Sequence, residues 1–374
     1  MNRLELIRRG LDLQGKGLEI GPSFSPICPK AEGFDIEIID VEDRAGLISK
    51  YACDKNVGAR LNNIEEVDFV WSGGSYVQLI GDAERYDYII GSHVIEHQVD
   101  LLAWLQDLEA LLREGGKVAL AIPDSRFEFD FFRQPTHIGE VLDTHESPKR
   151  VHSYGRYVES MLHTESFLVS TSFPMSYRIA VSRLSRLDQG KFRDILNSWS
   201  DAKFMDIHSW VFTPASFALL WYELQLLGLI NLSIESLTVL DVPCAEFYVH
   251  LRKDTDVSPT CIDGDKLLDL QLALREEHYM REVQGRRDWR FSHNGRIFIY
   301  GAGRVGELCQ AILADMNVQA PAYIVSKLSE NMRQKHCGLP VVEFKDVQLL
   351  DEDTVIIAAR GCAAMEIRQI LLDR

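Results

Sequence analysis

Residues 86–124 read YDYIIGSHVIEHQVDLLAWLQDLEALLREGGKVALAIPD, and this stretch decides the fold. It opens on a short apolar run, Tyr86–Ile90, of the length and composition of a buried strand. A polar knot follows, holding Ser92, His93, Glu96 and His97. Then Leu101, Leu102, Leu105, Leu108, Leu111 and Leu112 recur at helical spacing, and Gly115-Gly116 supplies a C-cap signal. Lys117–Ile122, closed by Pro123, is a second apolar run. Strand, helix and strand in immediate succession make the βαβ unit of a parallel sheet.

Upstream, the same alternation predicts strands at Gly17–Ile20, Ile36–Ile39 and Val67–Trp71. Downstream, from Asp124 to about Thr213, periodicity breaks down and aromatic, His, Arg and Ser residues crowd together, as in a long functional insertion. Pro214 suits the first turn of a helix running to Leu227. Leu232–Leu240 and Ala245–Leu251 read as antiparallel strands, and Lys266–Val283 as a charged connecting helix with Leu267, Leu270 and Leu274 on one stripe. A new unit starts near Gly295, with strands at Arg296–Tyr300, Ala322–Val325 and Thr354–Ala359. The expected fold is α/β: a doubly wound Rossmann-like sheet over residues 1–255 with an irregular cap at about 125–213, a linker helix over 256–294, and a second small Rossmann-like unit over 295–374.

A 46% hydrophobic and 26% charged composition is that of a globular chain, and 374 residues favour two cores. A formal net charge of -16 repels phosphate backbones, which argues against nucleic-acid binding. The seven cysteines are scattered, with no CxxC and no Cys/His grouping at metal-ligand spacing, so no metal is expected and the thiols read as free in a reducing compartment. Without an apolar signal core or a run long enough to span a bilayer, the chain reads as cytoplasmic with no integral membrane segment. The connecting helix leaves homodimerisation open.

In an open parallel sheet, ligands bind beyond the carboxyl ends of the strands where the winding reverses. Glu19 lies in the first strand of GLEIGPSFSP, Gly21 and Pro22 follow it, and Asp40 ends the second strand, where an acidic side chain meets ribose hydroxyls. By itself this pattern equally admits a nicotinamide cofactor. With SHVIEH and the helix–Gly-Gly–strand that follows, residues 15–125 resemble class I S-adenosylmethionine-dependent methyltransferases in order and spacing. LEIGPSFSP together with SHVIEH is similar to a bacterial subgroup associated with surface polysaccharide clusters. The chain departs from the family's glycine-rich turn, keeping only Gly21 and placing Pro22, Ser23 and Pro26 in the rest.

The resemblance implies S-adenosylmethionine as cofactor, with Glu19, Gly21 and Pro22 bordering its methionine end. Asp40 would hold its ribose, Trp71 would lie near its adenine, and Ser92, His93 and His97 near its sulfonium. A hydroxyl acceptor calls for a general base, for which His93, His208 and His145 are candidates. Asp206, His208 and Trp210 alternate, so an extended backbone turns all three to one side, a surface suited to a polar ring such as a sugar. Asp124 and Arg126, just past the fifth strand, complete the substrate candidates, Arg126 as a bidentate anion binder. The implied acceptor is a sugar, nucleotide-linked sugar or other small glycan.

RIFIYGAGRVG, residues 296–306, holds a complete GxGxxG at Gly301, Gly303 and Gly306, between a strand and a helix. The following strand ends in Ser326-Lys327 where a nicotinamide dinucleotide would want a carboxylate. The unit is similar to the C-terminal domains of sugar C-methyltransferases, whose zinc-binding N-terminal module has no counterpart here. Two other readings stand beside methyl transfer: an NAD(P)-linked oxidoreductase working on this second glycine turn, and a methyltransferase fold serving only as a binding module.

Overall fold

The computed structural model describes residues 2–54, 57–128, 130–131, 133–147, 151–163, 193, 197–200, 204–240, 244–254, 263–286, 296–302, 306–307, 309–310, 313, 319–326, 335–350, 353–357 and 367. The first unit runs α1 (Arg3–Arg8), β1 (Gly17–Ile20), β2 (Ile36–Asp40), α2 (Arg44–Tyr51), β3 (Phe69–Val70), α3 (Tyr76–Ile80), β4 (Tyr86–Ser92), α4 (Leu101–Leu111) and β5 (Leu112–Pro123). It continues with α5 (Ile138–Glu146), α6 (Tyr154–His163), α7 (Pro214–Leu226), β6 (Leu232–Thr238), β7 (Glu246–Lys253) and α8 (Gly264–Arg286).

Seven strands form one sheet in the order β3-β2-β1-β4-β5-β7-β6. The first five are parallel, with Leu18 of β1 between Glu37 of β2 and Ile89 of β4. β7 enters antiparallel to β5, setting Glu246 opposite Pro123, and β6 pairs antiparallel with β7. The chain moves outward from β1 through β2 to β3, then returns to the other side of β1 as β4. That reversal puts the sheet's switch point, where open α/β sheets bind their ligands in a crevice, at the carboxyl ends of β1 and β4.

Strand alternation sorts side chains onto two cores. On β4, Ile89 joins the larger core with α4, α7, Leu18 and Ile20, while Tyr88 and Ile90 join the smaller one with Leu6, Ile7, Ile27 and Ile36. α4 forms because Asp100 caps it, accepting from Ala103 N at 2.9 Å, and because its leucine stripe faces the sheet. Leu105 and Leu108 are fully buried there, each contributing about 2 kcal/mol of apolar burial. Gly17 must be glycine, since a Cβ would enter the ring of Tyr88 on the neighbouring strand.

The glycine pair after α4 does not cap it. The helix ends at Leu111, Leu112 is already extended and pairs with Tyr86, and the next pair is Lys117 with Tyr88. Gly115, at φ +71, and Gly116 absorb the surplus residues as a bulge inside β5. β3 is shorter than its apolar run suggests, because only Phe69 and Val70 find partners on β2.

The second sheet contains β8 (Ile297–Tyr300), β9 (Tyr323–Val325), β10 (Lys335–His336), β11 (Leu339–Glu343) and β12 (Thr354–Ile357). Its order is β10-β11-β9-β8-β12, parallel except for the β10–β11 pair. Gly301 turns out of β8 at φ +119. Gly306 lies under the Gly301 carbonyl and beside the Tyr323 ring, where a Cβ has no room. Gly303 and Lys327 lie outside the described residues. No described helix is long and apolar enough to cross a membrane.

Candidate active site

Gly21 leaves β1 at φ +61, a conformation that glycine adopts without penalty, and a Cβ there would press on Val94 Cγ1 at 3.3 Å. Pro22 stiffens the turn, and Ser23 follows at φ +47. Asp40, at the tip of β2, ties the turn down: its Oδ2 accepts from Ser23 N at 3.1 Å and its Oδ1 from Val41 N at 2.7 Å. Burial raises the Asp40 carboxyl above its ordinary pKa, against the pull of those two N–H groups. Each oxygen keeps acceptor capacity for a hydroxyl pair. Trp71, beyond β3, donates its indole N–H to Gly74 O at 2.9 Å and lies edge-on to Tyr76 and Phe204.

At the tip of β4 the backbone is strained. His93 takes φ +56, uncommon for a residue with a Cβ and typical of side chains aimed for function. Its Nε2 lies 2.9 Å from Glu246 Oε2, at the start of β7. Arg3 of α1 closes the group, giving Nε and Nη2 to Glu246 at 2.7 and 2.8 Å and Nη2 to Ser92 Oγ at 2.6 Å, while Tyr248 donates to Glu246 Oε1 at 2.7 Å. Burial would raise the Glu246 carboxyl, but His93 and Arg3 outweigh it and hold it well below the usual carboxylate range. Burial would likewise lower the His93 imidazole; Glu246 and Glu96 outweigh that and hold it above its ordinary value.

The cap comes down on the turn Ile95–His97. Ser209 N and Trp210 N both donate to Glu96 O, at 2.7 and 3.1 Å. This brings His208 to His97, ring centroids 4.7 Å apart and nearly perpendicular. Asp130 Oδ2 stands 2.5 Å from His208 Nδ1, and Arg133, fully buried, gives Nη1 to Asp130 Oδ1 at 3.0 Å and to His208 O at 2.6 Å. His97 Nδ1 lies 3.0 Å from Asp206 Oδ1, and Lys50 reaches Asp206 at 3.6 Å. The His97 ring holds the Asp206 carboxyl well below its usual range. His152, buried, shares a 2.6 Å bond with Ser209 Oγ, and burial pushes its imidazole down to about 4.

The structure therefore gathers Gly21, Pro22, Asp40, Trp71, Ser92, His93 and His97 at the carboxyl ends of β1–β4, and brings Asp206 and His208 onto them. Other sequence candidates are placed differently. Both oxygens of Glu19 accept backbone N–H groups, from Ile27 at 2.5 Å and Cys28 at 3.0 Å, so it braces the turn from behind. Arg126 is no open anion binder: Asp124 holds it by two bonds of 2.9 and 2.6 Å, and Glu277 of α8 takes its remaining arm at 3.1 Å. Trp210, expected beside Asp206 and His208 on a substrate face, is a core residue. Its indole N–H donates to Gln98 O at 2.6 Å, because the segment packs onto Ile95–His97 and does not run extended along an open edge. His145 turns to Asp100, the α4 cap, at 3.1 Å.

Arg3, Lys50 and Glu246 had no signal in sequence, since each comes to the site from a distant element. Glu96 had one: it stands between His93 and His97 in SHVIEH.

Residues 4–227 match the family described as a methyltransferase domain. No curated protein matches the sequence. Among solved structures, the chain is similar to a protein designated a Zn-dependent alcohol dehydrogenase from Rhodobacter sphaeroides, at 11% identity and TM-score 0.37, covering 67% of this chain and 89% of that one. It is similar to a SAM-dependent methyltransferase from Methanosarcina mazei at 12% identity and TM-score 0.32, covering 68% and 98%. A SAM-dependent methyltransferase from Thermotoga maritima gives 17% identity and TM-score 0.25, covering 33% and 51%.

Proposed function

The chain belongs to the methyltransferase domain family, and from that premise we propose that it moves a methyl group from S-adenosylmethionine to a hydroxyl of a small polar acceptor, a sugar, nucleotide-linked sugar or short glycan. The observation that carries this reading is a grouping of three residues at the sheet's switch point. One glycine with positive φ, one buried carboxylate at the tip of β2 and one strained histidine at the tip of β4 surround the point where the winding of the sheet reverses.

S-adenosylmethionine supplies a methyl already activated by the positive charge on its sulfur, so the protein's work is alignment. Asp40 takes the ribose diol on its remaining acceptor capacity, and Gly21 lets the main chain approach the amino-acid end. Trp71 and Phe204 wall the adenine side. Glu246 engages Nε2 of His93, which leaves Nδ1 turned toward Glu96, 3.6 Å away, to receive the acceptor's hydroxyl proton. The exposed cap carboxylate Asp206, with Lys50, offers hydrogen-bond partners for neighbouring hydroxyls. The charged, imidazole-rich mouth favours a polyhydroxylated acceptor over an apolar one. Residues 295–374 are read as a separate unit that holds the nucleotide portion of such an acceptor, by way of Gly301, Gly303 and Gly306.

Thermal unfolding with added ligands tests the reading, because a ligand bound only by the native state raises the transition. S-adenosylmethionine and S-adenosylhomocysteine should each raise it while nicotinamide dinucleotides leave it unmoved. A rise with the dinucleotides alone would transfer the chain to the oxidoreductase reading.

A further inference from the structure

Glu96 is 1% exposed, and neither of its oxygens meets a hydrogen-bond donor among the described residues. A carboxylate withdrawn from water in this way is costly unless positive charge faces it. What faces it is imidazole nitrogen. His93 Nδ1, His97 Nε2 and His208 Nε2 stand 3.6, 3.7 and 3.8 Å from Glu96 Oε1. These gaps are too long for hydrogen bonds. They are close to the roughly 3.4 Å that separates ligands sharing a tetrahedral ion at about 2.1 Å. One ligand atom each from Glu96, His97 and His208 lies within 4.8 Å of the other two.

The far side of each ring is equally telling. Asp130 backs His208 at 2.5 Å and Glu246 backs His93 at 2.9 Å, while Asp206 lies 3.0 Å from His97 Nδ1 without the alignment of a hydrogen bond. A carboxylate behind an imidazole fixes its orientation and raises its basicity, as behind metal-bound histidines. The rigidity also has a source: Arg133 is buried against Asp130 and the His208 carbonyl, so the cap cannot rotate His208 away without stranding a charge.

From this convergence we infer that Glu96, His97 and His208 bind one divalent transition-metal ion beneath the cap, with His93 adjoining it. Two nitrogens and one oxygen suit Zn²⁺, Fe²⁺ or Mn²⁺ better than Ca²⁺ or Mg²⁺, which favour all-oxygen sets. Three protein ligands leave coordination positions open to water or substrate. The site stands independently of methyl transfer; its use rests on that reading. An acceptor hydroxyl seated on the ion would be acidified beside His93, which takes its proton.

The full-length chain, stripped with a chelator, is titrated calorimetrically with Zn²⁺ alone, and in parallel with Co²⁺ followed by its visible absorption. One equivalent should bind, and the Co²⁺ spectrum should report a low-symmetry nitrogen–oxygen site. Glu96→Gln and His208→Gln should each abolish that spectrum. Asp206→Asn, at an exposed position that spares the core, should weaken Zn²⁺ about 10- to 100-fold, the range for losing a carboxylate behind a ligating histidine. No stoichiometric uptake by the wild-type chain would overturn the inference, as would undiminished uptake by both Glu96→Gln and Asp206→Asn. S-adenosylmethionine affinity is measured on the stripped protein. If it is retained while metal uptake is absent, only the metal site fails; if metal binds and the nucleoside does not, only the methyl-transfer reading fails.

Discussion

His208 Nδ1 lies 2.5 Å from Asp130 Oδ2, and the other oxygen of that carboxylate holds the buried guanidinium of Arg133 at 3.0 Å. One carboxylate thus orients a ring at the crevice and neutralises a cation in the cap. Burial would raise the Asp130 carboxyl, but His208 and Arg133 outweigh it and hold it below its ordinary value. Asp130→Ala should therefore destabilise the chain by about 3 kcal/mol, mostly because the buried Arg133 is left with only Glu159, 4.0 Å away, to face its charge. Asp130→Leu combined with Arg133→Met should cost less than the sum of the single changes. Denaturant melts of the four proteins give the coupling, and strict additivity would deny the pair any shared role.

Asp40 joins the glycine turn to the tip of β2 and is the carboxylate we propose for the ribose. Asp40→Ala should weaken S-adenosylmethionine about 10- to 100-fold, the worth of a charge-assisted pair of hydrogen bonds, with the far-UV spectrum unchanged. Its stability should fall by about 1–3 kcal/mol, since Ser23 N and Val41 N lose their acceptor beside a buried carboxylate. Calorimetry with the wild type and the variant decides the matter, and equal affinities would remove Asp40 from the site.

Much of this architecture was legible in the chain. The leucine stripe of α4 and the short apolar runs around it carry a periodicity that tertiary packing only confirms, and Gly21 and Asp40 announce themselves by their place at strand ends. Boundaries failed where long-range pairing overrode local signals: Gly115-Gly116 reads as a helix cap, yet the demand of Tyr86 for a partner on β5 turns it into a bulge. The site failed in the same manner. Arg126 looks like a free anion binder until α8 delivers Glu277 to it, and Trp210 looks like part of an open substrate face until the cap buries it. Arg3 and Glu246 lie far apart in sequence, and only the insertion of β7 beside β5 brings Glu246 to both Arg3 and His93.

Glu37 gives a pH dependence remote from the crevice. Burial alone would raise its pKa, but the Arg85 fork, the Tyr86 hydroxyl at 2.6 Å and Lys16 hold it at about 2, against an ordinary 4.5. A carboxyl lowered on folding adds stability that is fully present above its unfolded value and is lost as the pH falls through the folded one. Wild type should therefore exceed Glu37→Gln by about 1 kcal/mol at neutral pH, after discounting for solvent around a partly exposed pair. That gap should close between about pH 4.5 and 2. Urea melts at several pH values read it directly, and a gap that stays constant through this window would place the stabilisation elsewhere.

Gly306 offers a test of whether the second unit stands alone. A Cβ at this position would collide with the Gly301 carbonyl, which is backbone and cannot step aside, and would press on the Tyr323 ring. Gly306→Ala should therefore loosen the turn that joins β8 to the residues after it, at a cost of a few kcal/mol, as is usual for overpacking against fixed atoms. Ile297, Ile299, Tyr323 and Val325 form a core of their own, with no member in common with the cores of the first sheet. The loss should accordingly appear as an earlier separate transition in calorimetric melting, with the S-adenosylmethionine-dependent rise of the main transition preserved. If the alanine variant melts in one lowered transition and loses the nucleoside as well, the two sheets act as a single cooperative body, and the division of the chain at residue 295 is wrong.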